Sequence, residues 1–449
     1  MAKFKSDMWI RFNLYGVSRL NVPKHLKVDA DFTDAVNTER MSTPITKSMN
    51  PELIKITDSS LRPQPVVTDD SWRCELSLDI VTDLIELERY GSEWDRLLFD
   101  DPRPVPMSGI DWLLPYFSHR LLPNEHWVCL IARRGQRLAG IMPVLYRREH
   151  RLFRPYTIVR TPYDSHTYGV DILTDRQQSD EVIEFLIKGL AKQCPDWGEL
   201  HVVRLADSSP LVNCLPNGRG LVGTIHEPCD GESVLFTRGL YEDYFHSLSR
   251  NFRRALRKAT KKLDQLSGVH FSAATGLDAI EAWRAFVDID SSSWRAAHGD
   301  DLLSNPSLAC SHRKTIERLA AKNITRVYLL FADGKPIAGL VGFALGHTLA
   351  VKKVAHREEY SHYSPGNMLF EYVLQQAYAD PEIQCVNCLT DMSWHRNWNM
   401  TTRPNRHLWI YRNRPVSMIT GFYPRRVKQW LHYVPGLTWL ARHLRLSRS

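Results

Sequence analysis

Two segments of the chain show the same pattern of apolar and polar positions. Trp127–Tyr146 reads W-V-C-L-I-A-R-R-G-Q-R-L-A-G-I-M-P-V-L-Y, and Arg326–Leu345 reads R-V-Y-L-L-F-A-D-G-K-P-I-A-G-L-V-G-F-A-L. In each segment two apolar runs flank a short polar stretch with a glycine, which is the pattern of a β-hairpin. Aligned without a gap, the segments lie 199 residues apart and share five identical residues. The repeat predicts two related domains in tandem.

The periodicity of apolar residues predicts further helices and strands around the two hairpins. In the first half these are helices at Ser92–Phe99 and Glu181–Lys192, strands at Thr157–Arg160 and Tyr168–Leu173, and an irregular connection at 207–230. In the second half they are helices at Tyr241–Leu266, Gly276–Trp294, Arg313–Lys322 and Asn367–Tyr378, and strands at Thr348–Ala355 and Cys385–Leu389. Helices that flank hairpins, with a strand leading into a helix, predict a mixed α/β (α+β) fold.

Composition divides the chain into four parts. Residues 1–70 lack sustained periodicity and predict a weakly structured leader, residues 71–230 and 231–415 predict two domains, and residues 416–449 predict a basic amphipathic tail. Residues 392–449 contain eleven Lys and Arg and no Asp or Glu. Because the whole chain carries a net charge of +8, residues 1–391 carry −3. The overall basic charge is therefore poor evidence for nucleic-acid binding.

The composition is ordinary for a globular protein, with 43% hydrophobic and 24% charged residues. No apolar stretch reaches the ~20 residues that span a bilayer, and the N-terminus lacks a secretory pattern. The eight cysteines are scattered, as reduced thiols of a cytosolic protein are. Cys385 and Cys388 form a lone C-x-x-C pair, which favours two buried thiols over a metal site. We expect a cytoplasmic protein without a metal.

The most chemically specific segment is Val351–Leu374, which reads V-K-K-V-A-H-R-E-E-Y-S-H-Y-S-P-G-N-M-L-F-E-Y-V-L. Ser364 suits a helix N-cap, Pro365 suits the first helical position, and Gly366 leaves the backbone without a side chain. A helix that begins in this way can direct its free amides at a phosphate or diphosphate. An ordinary capped helix would have the same three residues, so the wider context decides.

This segment resembles the cofactor-binding corner of the GNAT acyltransferases, where a strand leads into a helix that holds the diphosphate of acetyl-CoA. The wider resemblance is to the CelD/BcsL-type acetyltransferases of cellulose and exopolysaccharide biosynthesis. Three more segments carry it, in the order of that family: Leu248–Leu263, Asp288–Gly299 and Phe331–Gly339. The family's fold is similar to the tandem GNAT arrangement of the Fem aminoacyltransferases. The resemblance implies two tandem GNAT-like domains, each a mixed, mainly antiparallel sheet flanked by helices.

The resemblance also implies roles for individual residues. It assigns the acyl-CoA site to the second domain and the acceptor side to the first, which lacks a Ser-Pro-Gly helix start. The implied donor contacts are backbone groups and small residues of one corner: Val354, Ala355, Ser364, Gly366 and Asn367. The usual GNAT loop, Gln/Arg-x-x-Gly-x-Gly/Ala, is absent. After the last strand, Asp391 and Trp398 fit the family, whereas His395 and Arg396 stand in its Tyr-Lys region, so Arg396 and Trp398 are implied acceptor contacts.

Acyl transfer from a thioester requires a held donor, a deprotonated nucleophile and a stabilised carbonyl oxygen. The candidates for the general base are His356, Asp391 and His395, of which the histidines have the more suitable ordinary pKa. Trp294 and Arg295 are candidates for the wall of the acceptor cleft because indole faces pack on sugars. A tryptophan buried in the core is an equal alternative at position 294.

Three functions are compatible with these motifs. The first is transfer of an acetyl or other acyl group from acyl-CoA to a hydroxyl or amine of a polysaccharide or sugar precursor. The second is a Fem-like transferase with an aminoacyl-tRNA donor, which the seven cations within 250–262 favour by charge. The third is a catalytically inactive tandem GNAT protein that serves as a binding subunit in a polysaccharide-export machine. The tail is either a peripheral membrane helix or a basic helix packed on its own domain.

Overall fold

The computed structural model describes residues 75–176, 179–213, 221–299 and 301–433. The predicted leader at 1–70 and the last part of the predicted tail, 434–449, lie outside the described residues. Thirteen strands are present in the described part: β1 Leu76–Val81, β2 His126–Arg134, β3 Arg137–Arg151, β4 Arg154–Arg160, β5 Leu173–Thr174, β6 Trp197–Ala206, β7 Leu221–Phe236, β8 His270–Thr275, β9 Thr325–Ala332, β10 Lys335–Leu345, β11 Thr348–His356, β12 Cys385–Asn387 and β13 Thr401–Arg412.

The described helices surround these strands. They are α1 Leu84–Glu88, α2 Gly91–Phe99, α3 Ile110–His119, α4 Ser179–Gln193, α5 Pro210–Asn213, α6 Tyr241–Ser247, α7 Arg250–Leu263, α8 Asp278–Ser291, α9 Pro306–Ala321, α10 Pro365–Ala379, α11 Pro415–Ser417 and α12 Tyr423–Tyr433. Short 3-10 turns lie at Pro106–Ser108, Ala296–His298, Glu358–Tyr363 and Ser393–Trp398, and a π-turn lies at Met418–Phe422. Among the described helices, none has the length and apolar character needed to cross a membrane.

The strands form one sheet in the order β1-β2-β3-β4-β6-β13-β7-β12-β11-β10-β9-β8, with β5 paired to β3. Going inward from β1, three antiparallel pairings lead to β4, which runs parallel to β6. Going inward from β8, three antiparallel pairings lead to β11, which runs parallel to β12. The two ends of the sheet therefore have the same topology, and the predicted tandem α/β fold is confirmed.

Strands β7 and β13 occupy the middle of the sheet and join its two halves. β13 pairs with β6 on one side and with β7 on the other, and β7 also pairs with β12. β7 crosses the boundary that the sequence predicts at residue 230. β13 lies near the end of the predicted second domain, yet it pairs with β6 of the first. The two halves thus share backbone hydrogen bonds, and the division at 230 stays a prediction.

Both predicted hairpins form. The residues that are structurally equivalent in the two hairpins are, however, offset by one position from those that the gapless alignment matches. The register shift in β3 leaves Ala139 as the extra residue, and the shift in β10 leaves Ile337, which is a spacing of 198. The next residues, Gly140 and Ala338, face the corresponding helices α4 and α10. Gly339, which the gapless alignment matched to Gly140, packs against α8 instead. A repeated β-bulge, rather than the shared glycines, relates the hairpins.

Three sequence-based element assignments are wrong. Tyr168–Leu173 is mostly irregular, and only Leu173–Thr174 pairs as a strand. The connection predicted at 207–230 contains the start of β7, a long central strand. The single helix predicted at Tyr241–Leu266 is two helices, because Ser249 is extended and its hydroxyl accepts a hydrogen bond from the Phe252 amide at 3.2 Å. Serine in that conformation starts a new helix.

Two layers of helices cover the second half of the sheet. On one face, α6, α7 and α10 pack on apolar residues of β9–β12. On the other face, α8 and α9 of the second half and α3 of the first half share one apolar core with β9–β11. Ion pairs join the halves at this contact: Asp111 of α3 accepts from Arg318 at 2.8 Å and from Lys322 at 2.5 Å. The α3–α9 contact positions first-half loops beside β11.

Candidate functional site

β11 and β12 run side by side for only three residues and then separate. The parallel pairing covers Thr348–Ala350, whereas β11 continues to His356 with β10 as its other neighbour. Beyond residue 350, none of the described strands pairs with the β12 side of β11. Backbone groups at the edge of an unpaired strand need other partners. The opening between the strands can therefore receive an extended ligand along Val354 and Ala355.

Helix α10 begins at Pro365, next to the end of β11. The helix start is where the sequence predicts it, but Ser364 does not act as the predicted side-chain cap. Ser364 lies in the left-handed region at φ 56°, and its carbonyl, not its hydroxyl, accepts from the amides of Asn367 and Met368 at 3.0 and 3.2 Å. The Gly366 amide lies in the first turn, where helices leave amides without an internal acceptor.

His356 lies beside this helix start. A Cβ atom added to Gly366 would meet only the His356 ring, 3.6 Å from Nδ1. Burial lowers the pKa of His356, the Glu358 carboxylate raises it, and the Arg295 guanidinium lowers it. The imidazole is thus neutral near pH 7 and can accept a proton or a hydrogen bond. The structure brings together three of the residues singled out from the sequence: Arg295, His356 and Gly366.

Asp391 and His395 form a second group after β12. Asp391 Oδ1 accepts from the hydroxyls of Ser233 at 3.0 Å and Thr402 at 3.2 Å. His395 is buried, and its Nδ1 accepts from the Met392 amide at 3.1 Å. Burial lowers the pKa of His395 to about 4, against the opposing effects of Asp391 and the Thr390 backbone. With Nδ1 engaged in its own turn, His395 is better placed to hold this loop than to deprotonate a substrate.

The four predicted acceptor contacts lie in different environments. Trp294 is 46% exposed and stacks near Arg295, with 5.6 Å from the guanidinium to the indole. Arg396 is exposed on the 3-10 turn after β12. Trp398 is fully buried between Phe252 and Phe370. An indole enclosed by core residues has no free face, so the position of Trp398 contradicts its predicted role as an acceptor contact.

A β-bulge in β11 directs two adjacent lysines to the same face of the sheet. Val341 pairs with Lys353 and Gly342 with Val351, which leaves Lys352 as the extra residue. Lys353 is buried, and its Nζ lies 2.6 Å from Asp290 Oδ2 on α8. Lys352 Nζ lies 4.2 Å from the ring centre of Tyr168. Both ammonium groups therefore point away from α10, that of Lys353 towards α8 and that of Lys352 towards Tyr168 of the first half.

Loops of the first half bring polar side chains to the same place. The Arg120 guanidinium pairs with Asp164 and donates to the Thr167 hydroxyl at 3.1 Å. His166 packs edge-on to His312 of α9, with 5.4 Å between the ring centres. Burial, together with the nearby charges of Lys352, Arg120, Lys353 and Arg295, lowers the pKa of His166 to about 2. These polar residues, Arg120, Asp164, His166, Thr167 and His312, line what we call the inter-half cleft.

A cavity of about 300 Å³ adjoins the inter-half cleft. Tyr168, which contacts Lys352, is also part of the cavity wall. The rest of the wall includes Arg204 and Arg403 from the central strands and Asn387 at the end of β12. Hydrogen-bonding groups around an enclosed space are typical of a pocket for a polar small molecule. The cavity is thus a candidate acceptor pocket on the face of the sheet opposite to α10.

Residues 250–395, which contain α7 to the turn after β12, match the family model of the acetyltransferase (GNAT) domain. This segment is a GNAT-fold acetyltransferase domain. The match includes the separating strands, the start of α10 and the Asp391–His395 group. No curated protein matches the chain in sequence.

Solved structures with a similar fold cover most of this chain. The crystal structure of FemX has 10% sequence identity and a TM-score of 0.52 over 73% of this chain and 98% of that one. A tandem GNAT protein from the clavulanic acid biosynthesis pathway is 14% identical, with a TM-score of 0.38 over 76% and 99% of the two chains. A conserved protein from Bacteroides thetaiotaomicron is 10% identical, with a TM-score of 0.47 over 75% and 100%. At these identities the likeness concerns the fold alone.

Sequence reasoning missed the residues of the inter-half cleft. Its first-half members lie in loops, where no periodicity marks them. Lys352 and Lys353 carried a signal, because strict alternation in T-L-A-V-K-K-V-A-H would place one of two adjacent lysines in the core. A charged residue on a buried strand face needs a partner or a function. A lysine at a position where the pattern requires an apolar residue could therefore have indicated both the bulge in β11 and an acidic partner for the lysine.

Proposed function

We propose that the protein transfers an acetyl or other acyl group from acyl-CoA to a hydroxyl or amine of a polysaccharide or of its sugar precursor. The observation that carries the proposal is the separation of β11 from β12 directly beside the start of α10. A pantetheine-like arm can lie along an open strand edge, while first-turn amides bind a diphosphate. No covalent enzyme intermediate is required, because a held donor and acceptor can react directly.

Each donor residue has a specific role in this proposal. Backbone groups of Val354 and Ala355 hydrogen-bond the arm of the donor. Ser364, Gly366 and Asn367 surround the diphosphate, and the free Ser364 hydroxyl can donate to a phosphate oxygen because it does not cap the helix. The absence of a side chain at Gly366 lets the diphosphate approach the backbone.

The acceptor is proposed to enter the inter-half cleft from the cavity side. Trp294 and Arg295 border the second half of this cleft, and the exposed indole face suits a sugar ring. Asp391, His356 and His395 were the sequence-based candidates for the base. Of these, His356 lies closest to the donor corner, which is formed by the end of β11 and the start of α10. The resemblance of the sequence to CelD/BcsL-type acetyltransferases is the reason for proposing a polysaccharide or sugar acceptor and a role in exopolysaccharide synthesis.

Titration calorimetry with acetyl-CoA tests the proposal, followed by detection of free CoA thiol in the presence of amino sugars, nucleotide sugars and oligosaccharides. The proposal expects one acetyl-CoA per chain and thiol release with at least one acceptor. Absence of acetyl-CoA binding would refute it. Binding without thiol release from this panel would favour the alternative of a non-catalytic GNAT-like subunit.

The exposed face of α7 supports a second donor, an aminoacyl-tRNA. Leu256, Ala259 and Leu263 of this helix are buried, whereas its cations lie towards solvent. The cationic residues are Arg250, Arg253, Arg254, Arg257, Lys258, Lys261 and Lys262. Such a face attracts phosphates at low salt. Tighter binding of tRNA than of acetyl-CoA at physiological salt would favour the tRNA-dependent reaction.

The C-terminal helix supports peripheral contact with an anionic membrane. Ile419, Tyr423, Val427 and Trp430 recur at helical spacing and are each at least half exposed. Arg426 on the same helix is also exposed. An exposed apolar stripe beside cations is typical of helices that lie in a lipid headgroup region. We therefore propose a cytoplasmic enzyme that meets lipid-linked or membrane-assembled acceptors at this surface.

A further inference from the structure

Lys352 lies between the proposed donor corner and the inter-half cleft. It precedes Val354 by two residues on β11, which corresponds to about 7 Å along an extended strand. Its ammonium contacts the Tyr168 ring at 4.2 Å, and Tyr168 also borders the cavity. Bulges next to active sites commonly redirect a side chain. Here the bulge directs Lys352 to the place where donor and acceptor would meet.

Among the described residues, the carboxylates near Lys352 are engaged by other cations. Asp290 pairs with Lys353, and Asp164 of the first half pairs with Arg120. The contact that Lys352 makes is with an aromatic ring. A lysine that is desolvated and close to other cations becomes a useful base or nucleophile at neutral pH.

Most of the effects that act on Lys352 lower its pKa. Burial lowers the pKa of Lys352 to about 7, Arg120 of α3 and Arg295 after α8 lower it, and Asp164 raises it. His166 and His312 also lie in this cluster and are neutral, because burial lowers the pKa of each. Tyr168 is uncharged, since burial raises its pKa. Near pH 7, Lys352 is therefore a neutral amine in a large fraction of the protein molecules.

Resting on the proposed acyl transfer, we propose that Lys352 is the general base that deprotonates the acceptor. The Lys352 Nζ lone pair takes the proton of the acceptor N–H or O–H while that nitrogen or oxygen forms a bond to the acyl carbon. The carbon–sulfur bond of the thioester then breaks, and CoA leaves as a thiolate. The Lys352 ammonium returns the proton to this sulfur, which gives the acylated acceptor and CoA thiol. The step needs no further reactant.

The first test measures the reactivity of Lys352 without any acceptor. The full chain is labelled with trace acetic anhydride from pH 5 to 11, and mass spectrometry of peptides follows each lysine. Lys352 should reach half of its maximal labelling near pH 7, and desulfo-CoA should slow its labelling at least tenfold. The exposed Lys188 of α4 is the internal reference and should not respond to desulfo-CoA. Half-maximal labelling of Lys352 above pH 9 would overturn the proposal.

The second test compares Lys352→Met and Lys352→Arg with the control Lys188→Met. Acetyl-CoA binding should stay within threefold of the wild-type value in all three. Thiol release with the most active acceptor should fall about 100-fold or more in both Lys352 variants, as expected for loss of a general base. Full activity of Lys352→Arg would overturn the proposal, since a guanidinium cannot accept a proton at pH 7. If the wild-type protein binds acetyl-CoA and the Lys352 variants stay active, Lys352 is not the general base. The proposed acyl transfer would remain intact in that case.

Discussion

The Lys353 ammonium and the Asp290 carboxylate form a buried ion pair between β11 and α8, with 2.6 Å between Nζ and Oδ2. The Leu302 amide donates to the same oxygen at 3.0 Å. The pair fixes α8 against the bulged part of β11 and holds the segment that carries Trp294 and Arg295. Its partners are 7% and 0% exposed, so neither charge could be rehydrated if the other were removed.

Lys353→Met is therefore expected to lower the free energy of unfolding by about 3–5 kcal/mol, because it leaves the Asp290 carboxylate buried and unpaired. Urea denaturation followed by circular dichroism measures this loss. The double variant Lys353→Met/Asp290→Leu should recover most of the stability, since it removes both charges. Equal instability of the single and double variants would contradict a role for the ion pair.

Gly366→Leu is expected to weaken acetyl-CoA binding about tenfold or more, because a side chain at the first turn of α10 blocks approach to the amides. Gly91→Leu is the matched control. Gly91 also lies in the first turn of a helix, α2, and a Cβ there would contact none of the described residues within 4 Å. Calorimetry should give wild-type affinity for this control. Equal affinity of both variants would exclude the start of α10 as the donor site.

The lowered pKa of His395 predicts that the protein loses stability in mild acid. Its pKa is about 4 in the folded protein, below the ordinary value of 6.5. The unfolded chain then binds the proton more readily, so the stabilisation is complete above about pH 6.5 and is lost as the pH falls towards 4. Urea titrations at pH 7 and pH 5 should show lower stability at pH 5, and His395→Gln should reduce that difference. An unchanged difference in the variant would show that His395 does not contribute.

Trp430→Ala combined with Tyr423→Ala should reduce binding to vesicles of equal parts phosphatidylglycerol and phosphatidylcholine at least fivefold, because both aromatic rings are exposed on the C-terminal stripe. Phe153→Ala is the control, since Phe153 is fully exposed in a first-half turn. Vesicle flotation measures binding. Unchanged flotation of the double variant would indicate that another surface, or residues 434–449, makes the contact.

The central strand β13 shows why part of the fold could not be predicted. Pro404 interrupts its sequence, and proline usually argues against a central strand. In the structure, Arg403 pairs with Glu232 and Asn405 with Cys229, so the extra residue of this bulge lies in β7, and Pro404 has no partner in the register. Local pattern cannot indicate that a partner strand will accommodate the proline.

The candidate site was predictable where local chemistry defines it. The start of α10 at Pro365 and the strand before it follow from the preference of proline for the first helical position and from apolar alternation. The roles of Lys352 and Asp290 depend on a bulge and on a helix that lies 62 residues earlier in the chain. Such long-range pairing leaves only one trace in the sequence, a charge where the pattern requires an apolar residue.

The central claim is that the opening between β11 and β12 holds acyl-CoA, and amide hydrogen exchange with and without acetyl-CoA tests it most directly. The account predicts slower exchange in residues 351–356 and 364–368, with little change in the first-half sheet. Protection confined to other regions, or no protection at acetyl-CoA concentrations that saturate the protein, would contradict it.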